Sequence, residues 1–232
     1  MPLTAFQKWV AHILAANRNP ESHVAGGAVI NRSDASVRYS EDLDIFHDAA
    51  ESAAGCAELD VQVLRQAGCS VEWMLRETGF YRASVERGED TLRLDWTHDS
   101  AFRFFPAQPD DDFGYCLHQA DLAVNKVLAL AGRTEIRDFL DILSLDETYL
   151  GLGAMMWAAC GKDSGYTPCL LVDQTNRHTR FKESDPNSTI LLLRRSHDLR
   201  GFEGRHARLK LFSHVRGVGC PDLEVRGLLA LP

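Results

Sequence analysis

Residues 40–46 read Ser-Glu-Asp-Leu-Asp-Ile-Phe, and this stretch decides the fold. In a β-strand successive side chains point to opposite faces, so Leu43 and Ile45 share the core face and Asp42 and Asp44 share the other. Two carboxylates side by side repel each other unless a cation lies between them. The stretch therefore predicts a strand that presents a pair of acids to a metal ion.

A pair of glycines, Gly26 and Gly27, precedes that strand. We expect a short strand over residues 23–25, a turn at the glycines and the start of a helix, followed by a polar loop over 31–41. Glycine lets a backbone approach a phosphate closely, with the N–H groups of a helix start aimed at it. A glycine pair alone is common in turns, and two acids that are two residues apart are common at strand edges. Together they indicate phosphate chemistry more specifically.

A third acid, Asp95, follows the alternating run Leu92-Arg93-Leu94. We expect it to join Asp42 and Asp44 from a neighbouring strand, bind the metal that activates the incoming hydroxyl and accept its proton. Mg²⁺ takes few carboxylates and completes its shell with water and phosphate oxygens, as in two-metal phosphoryl transfer. The sequence thus predicts Mg²⁺ or Mn²⁺ as cofactor, and Asp42, Asp44 and Asp95 as its ligands.

A second set of charged residues lies further along the chain, in predicted helices. Asp138 and Asp141 are three apart and share a helix face, while Lys126 lies inside a very apolar helix. One interpretation is a cation for a triphosphate. The other is a lysine that extends to solvent, with an ion pair between Arg137 and Asp141. Taken alone, the second arrangement is the commoner one.

The periodicity predicts an α/β (α+β) chain with a small mixed sheet, flanking helices and a helical C-terminal region. We place a catalytic core over residues 1–110 and a mainly helical region over 111–232. Residues 107–112 are predicted to be a surface loop at that boundary. The predicted strands cover residues 43–46, 70–76, 80–86 and 91–96, and the predicted helices cover 3–17, 48–67, 120–132, 134–143, 146–160 and 166–180.

Composition and charge limit the partners that we expect for this chain. The apolar runs are too short for a membrane span, so we expect no membrane and a cytoplasmic location. The cysteines form no C-x-x-C pair, which argues against a zinc site. Residues 177–216 hold ten Lys/Arg against four Asp/Glu, whereas residues 1–176 hold 14 against 27. This basic segment is an RNA-binding candidate, with a mixed, solvated surface as the equal alternative.

These residues resemble the AbiEii/AbiGii-toxin type of nucleotidyltransferase, within the DNA polymerase β-like superfamily. The match covers roughly residues 20–160 and includes Gly26-Gly27, Arg38-x-Ser40-x-Asp42-Leu-Asp44, the Asp95 strand, Asn125 to Arg133, and Arg137-Asp138-x-x-Asp141. The resemblance implies a polymerase β-like core that transfers a nucleoside monophosphate from an NTP to a hydroxyl. It also implies catalytic roles for Asp42, Asp44, Asp95 and Lys126.

The resemblance implies further roles for the remaining matched residues. The nucleotide would be bound by matched positions on both sides of the metal ligands, namely Gly26, Gly27, Arg38, Ser40, Lys126, Arg137, Asp138 and Asp141. Either Asp138 or Asp141 would carry the last acidic motif of the family. Some members are toxins with a cognate antitoxin protein, and some modify tRNA 3′ ends.

Several alternatives stay open at this stage. The acceptor can be tRNA or another RNA, a protein side chain or a small molecule. An inactive relative that binds a nucleotide or a partner is the alternative from another class. A hydrolase would use the same carboxylates, but the nine histidines show no metal-ligand spacing.

Overall fold

The computed structural model describes residues 3–33, 36 and 39–178. The described residues fall into two compact units, divided between Leu122 and Ala123. The predicted boundary after residue 110 stays a prediction. The strands are β1 (Ser22–Ala25), β2 (Asp42–His47), β3 (Ser70–Glu77), β4 (Phe80–Arg87), β5 (Asp90–His98), β6 (Gln108–Asp110) and β7 (Gly114–Cys116). The helices are α1 (Ala5–Leu14, followed by a 3₁₀ turn, Ala15–Asn17), α2 (Gly26–Ile30), α3 (Ala50–Gln66), α4 (Gln119–Gly132), α5 (Ile136–Thr148), α6 (Leu152–Lys162) and α7 (Pro168–His178).

The seven strands form one mixed sheet in the order β3-β4-β5-β2-β1-β7-β6. The strand β2 pairs in parallel with β5 and antiparallel with β1. The three consecutive strands β3, β4 and β5 form an antiparallel meander through tight turns. This order confirms the predicted fold class and places the acid-bearing strand β2 in the middle of the sheet.

The core of the first unit lies on the face of the sheet that carries Leu43 and Ile45, both at most 1% exposed. On β5, Leu94 and Trp96 lie on the same face and are fully buried. The helix α3 packs against this side through apolar positions such as Leu64. Burial of these alternate side chains fixes the register, because a slip of one residue would move every one of them to the other face.

The second unit is helical in its described part, with contacts from α5 to α6 and from α6 to α7. Its buried side chains include Phe139, Ile142 and Met155, each at most 1% exposed. The predicted helices over 134–143 and 146–160 are correct in type. The division between the two helices differs from the prediction. They are separated at residues 149–151 and not near residue 145.

The prediction of a surface loop over residues 107–112 is wrong. Residues 108–110 form β6, which pairs with β7 as a short hairpin at the sheet edge. Pro109 is compatible with a strand only at such an edge, where its missing N–H breaks no ladder hydrogen bond. None of the helices in the described ranges is both long and apolar enough to cross a membrane.

Candidate active site

The three predicted acids lie on one face of two neighbouring strands. In the parallel pair β2–β5, Asp44 is the register partner of Asp95, and Asp42 is the partner of Arg93. Register partners on adjacent strands point to the same side, so the three carboxylates and this arginine share the face opposite the core. Asp42 and Asp95 are only 6% and 5% exposed, and Asp44 is half-buried.

Asp95 is held by a two-bond guanidinium fork. Its partner Arg82 is the facing residue on β4 and donates from Nε to Oδ1 at 2.7 Å and from Nη2 to Oδ2 at 2.6 Å. These hydrogen bonds are the main reason why the pKa of Arg82 is raised, and the charges of Asp95, Asp42 and Asp44 add to the effect. A bidentate pair fixes the plane of the carboxylate as well as its position.

Asp42 is held from both of its oxygens. The Ser40 hydroxyl donates to Oδ1 at 3.0 Å, and Arg93 donates to Oδ2. Ser40 is itself 3% exposed, and its carbonyl accepts a hydrogen bond from the Gln7 side chain at 2.6 Å. The end of the predicted loop is therefore anchored to α1, and this anchor orients Asp42.

Gly26 approaches the carboxylate of Asp44 more closely than any other residue type would allow. A Cβ at this position would lie 2.1 Å from Oδ2 of Asp44, and Gly26 has a φ of +70°. Gly27 is buried in the short helix α2 that follows. Gly26 thus brings backbone against an acid that we predict to bind metal, and the expected approach to a phosphate stays a prediction.

The residues around the acids fit a hard divalent cation in chemistry. Three carboxylates from two central strands share one face, and the backbone of Gly26 lies directly against one of them. Oxygen ligands of this kind suit Mg²⁺ or Mn²⁺. Within residues 3–33, 36 and 39–178, however, no three His, Cys, Asp or Glu side chains converge as a ready metal site. The arginines engage Asp42 and Asp95 instead.

Lys126 lies in the second unit and is bound to both acids of the last predicted motif. Its Nζ is 2.9 Å from Oδ1 of Asp138 and 2.9 Å from Oδ2 of Asp141. Lys126 is 7% exposed, so its amine does not extend to solvent. Arg133 donates to the other oxygen of Asp138 at 2.7 Å.

The Lys126 cluster has a clear electrostatic consequence. Burial by itself raises the pKa of Asp138, but the nearby Lys126 charge and the Arg133 hydrogen bond outweigh it, and the pKa lies below its usual value. Asp138 therefore stays ionised while fully buried. The ion pairs join α4 to α5, and a role of Lys126 in binding a triphosphate stays a prediction.

Two arginines at the acids were not among the predicted site residues. Arg93 stands two positions before Asp95, so the alternation of β5 already placed it on the acid face. Arg82 carried no such signal, because the register of β4 against β5 is not visible in the sequence. Arg137 lies 3.8 Å from a Glu135 oxygen. Arg38 and residues 179–216 of the basic segment lie outside the described residues.

Comparisons with solved structures agree with the predicted fold class. No protein-family model and no curated protein sequence matches the chain. Among solved structures, MenT4, a nucleotidyltransferase toxin from Mycobacterium tuberculosis, is similar with a TM-score of 0.64 and 16% identity, over 94% of this chain and 84% of that one.

Two chains from Helicobacter pylori are also similar, both at 17% identity. A candidate nucleotidyltransferase has a TM-score of 0.48 over 90% of this chain and 98% of its own. The protein JHP933 has a TM-score of 0.47 over 91% and 94%. The likeness to MenT4 confirms the fold expected from the resemblance, and this chain shares its fold with that nucleotidyltransferase toxin.

Proposed function

We propose that the chain is a metal-dependent nucleotidyltransferase that transfers a nucleoside monophosphate from an NTP to a hydroxyl acceptor. The observation that carries the proposal is the register of β2 against β5, which sets Asp42, Asp44 and Asp95 on one face beside Gly26. The fold shared with MenT4 supports it. Neither a strand edge nor a surface turn would account for three carboxylates on central strands, two of them buried.

In the proposed reaction the acceptor oxygen attacks the α-phosphorus of the NTP. The bond from that phosphorus to the bridging oxygen of the β-phosphate breaks, and pyrophosphate leaves. The proton of the acceptor hydroxyl passes to an oxygen of Asp95, which Arg82 orients through its two hydrogen bonds. The N–H groups beside Gly26 approach the phosphates, because this position has no side chain.

Asp42 and Asp44 would hold a divalent cation, with Asp95 as the third ligand. When bound, this cation neutralises phosphate charge and lowers the pKa of the acceptor hydroxyl. The residues of the chain provide the geometry: Ser40 fixes Asp42, and Gly26 lets the carboxylate of Asp44 lie against the backbone. We retain Lys126 as the residue predicted to contact the triphosphate, with Asp138 and Asp141 as its partners.

The acceptor we favour is RNA, and tRNA in particular. The support is the basic composition of residues 177–216 and the family resemblance, and MenT4 is named as a toxin. A toxin of this kind would act in the cytoplasm, where NTPs and tRNA occur, and would be held in check by a cognate antitoxin protein. The acidic composition of residues 1–176 argues against binding nucleic acid in general.

Purified protein incubated with each of four α-³²P-labelled NTPs, Mg²⁺ and total RNA tests the proposal. We expect label in a narrow RNA size band with one preferred NTP, and no label when EDTA replaces Mg²⁺. Label on the protein itself would replace RNA by a protein acceptor. An absence of both labelling and Mg²⁺-dependent NTP binding would contradict the proposal and favour an inactive relative.

A further inference from the structure

Two guanidinium groups share the face of the sheet that carries the acids, and they are bound very differently. Arg82 makes two hydrogen bonds, one to each oxygen of Asp95. Among the described residues Arg93 makes one, to Oδ2 of Asp42. Both side chains are about one-third exposed, at 31% and 34%. Exposure therefore does not explain the difference.

The guanidinium of Arg93 makes fewer hydrogen bonds at its position than its donors allow. Its Nε is buried and has no hydrogen-bond partner in the part of the chain that the structure describes. The oxygen of Asp95 nearest to it is 3.8 Å away, beyond hydrogen-bond range. A buried donor without an acceptor costs free energy. Arg93 thus bridges two acids by charge while it lacks the paired hydrogen bonds that hold Arg82.

We propose that Arg93 is a displaceable counterion. It holds Asp42 and Asp95 together before a divalent cation binds, the cation displaces it from Asp42, and its freed guanidinium binds a phosphate oxygen of the nucleotide. This inference rests on the proposed function. It assigns Arg93 as a positioning residue before cation binding and as a nucleotide-binding residue afterwards, whereas Arg82 stays on Asp95 throughout.

The first step follows from competition for one oxygen. Arg93 donates to Oδ2 of Asp42, and a cation held by Asp42 and Asp44 needs oxygens on that face. A guanidinium and a metal ion at the same carboxylate repel each other. Ser40 keeps Asp42 oriented through Oδ1 when Arg93 leaves. The acid is thus still positioned after the exchange.

The second step follows from the place of Arg93 in β5. It is two residues from Asp95 on the same face, so a short rotation of its side chain keeps it beside the reacting groups. Guanidinium groups bind phosphate oxygens through strong charge-assisted hydrogen bonds. The unsatisfied Nε would gain an acceptor there. The exchange therefore replaces an incomplete contact by a complete one.

The test measures two affinities that should change in opposite directions in Arg93→Met. Calorimetry with Mn²⁺ alone should show binding about fivefold tighter than in the wild type, because the competing charge is gone. With Mn²⁺ saturating, a non-hydrolysable NTP analogue should bind about tenfold more weakly, because a charged hydrogen-bond donor is lost. Neither readout depends on turnover.

The control variants distinguish an error in the proposed metal site from an error in the proposed role of Arg93. Arg103→Gln removes an arginine that pairs with Asp48, away from the three acids, and should leave both affinities unchanged. Asp42→Asn should abolish Mn²⁺ binding. If it binds Mn²⁺ as the wild type does, the metal site and the proposed function are wrong. If Asp42→Asn loses the metal while Arg93→Met binds it equally or more weakly, the function stands and the counterion role is overturned.

A measurement on the wild type covers the case in which Arg93→Met does not fold. The side-chain Nε–H signal of Arg93 in ¹⁵N-labelled protein is assigned by its absence in Arg93→Lys. Saturating Mg²⁺ should shift this signal. A fixed Arg93 signal under saturating Mg²⁺ would overturn the exchange.

Discussion

Gly26 lies against the carboxylate of Asp44, and its φ of +70° is one that other residues rarely adopt. A side chain here would displace the acid that we predict to bind metal. The sequence showed Gly26-Gly27 as a turn signal. It did not show that the turn would face Asp44, because that depends on the antiparallel register in which Ala25 pairs with Asp44.

We predict that Gly26→Ala abolishes nucleotidyl transfer and Mn²⁺ binding while leaving the far-UV circular dichroism spectrum native-like. The added Cβ would lie 2.1 Å from an Asp44 oxygen, so the carboxylate must move. The matched control is Gly55→Ala in α3, where nothing lies within 4 Å of the new Cβ. It should keep full activity and gain about 0.5–1 kcal/mol of stability. Full activity in Gly26→Ala would contradict this account of the turn.

His47, at the end of β2, is a second residue whose surroundings make a prediction. It is 1% exposed, and neither ring nitrogen has a hydrogen-bond partner among the described residues. Burial, together with the charges of Arg18 and His23, lowers its pKa from 6.5 to about 3. The unfolded chain thus binds a proton below pH 6.5, whereas the folded chain does so only near pH 3.

The free energy of unfolding should therefore fall as the pH drops from about 6.5 towards 3. At pH 5, His47 should account for on the order of 1–2 kcal/mol of this loss. We expect His47→Leu to remove that share of the loss, because leucine cannot bind the proton. Urea unfolding at pH 7.5 and pH 5 measures it. The exposed His12 serves as control, and His12→Gln should change nothing. Equal pH dependence in His47→Leu and the wild type would contradict the prediction.

At the scale of elements, the strands were easier to predict than their pairing. Alternation in β2 and β5 identified the core and acid faces correctly, because a half-buried strand imposes period two on its sequence. The edge hairpin β6–β7 was missed because three residues are too few to show a period, and Pro109 and three aspartates are typical of a loop. Arg82 was missed for a related reason, since pairing between strands leaves no mark in a single sequence.

Helices α4 and α5 meet at the ion pairs of Lys126 with Asp138 and Asp141. We predict that Lys126→Met lowers the free energy of unfolding by about 3 kcal/mol, because it leaves buried carboxylates short of a counterion. Arg137→Met, which removes a partly exposed charge, should cost less than about 1 kcal/mol. Urea unfolding followed by circular dichroism compares the two. Unchanged stability in Lys126→Met, with weaker binding of an NTP analogue alone, would favour the nucleotide role over the structural one.

In the chain as a whole, a mixed sheet in the order β3-β4-β5-β2-β1-β7-β6 sets three acids on one face, where we propose that nucleotidyl transfer takes place. The fold class was predictable because glycines, alternating strands and Ala-rich helices each carry a local signal. The strand order was not, since it is set by contacts between distant segments. The likeness to MenT4, with a TM-score of 0.64 at 16% identity, shows that the fold persists when little of the sequence does.

The most direct test compares transfer of ³²P from labelled NTP to RNA by the wild type, Asp44→Asn and Glu41→Gln. Asp44 lies on the acid face against Gly26, whereas Glu41 is an exposed neighbour just before β2. We predict that Asp44→Asn lowers transfer by at least about a thousandfold. Its melting temperature should stay the same or rise, since like charges then repel less. Glu41→Gln should be as active as the wild type. Equal transfer by all three proteins would contradict the claim that this face of the sheet is the active site.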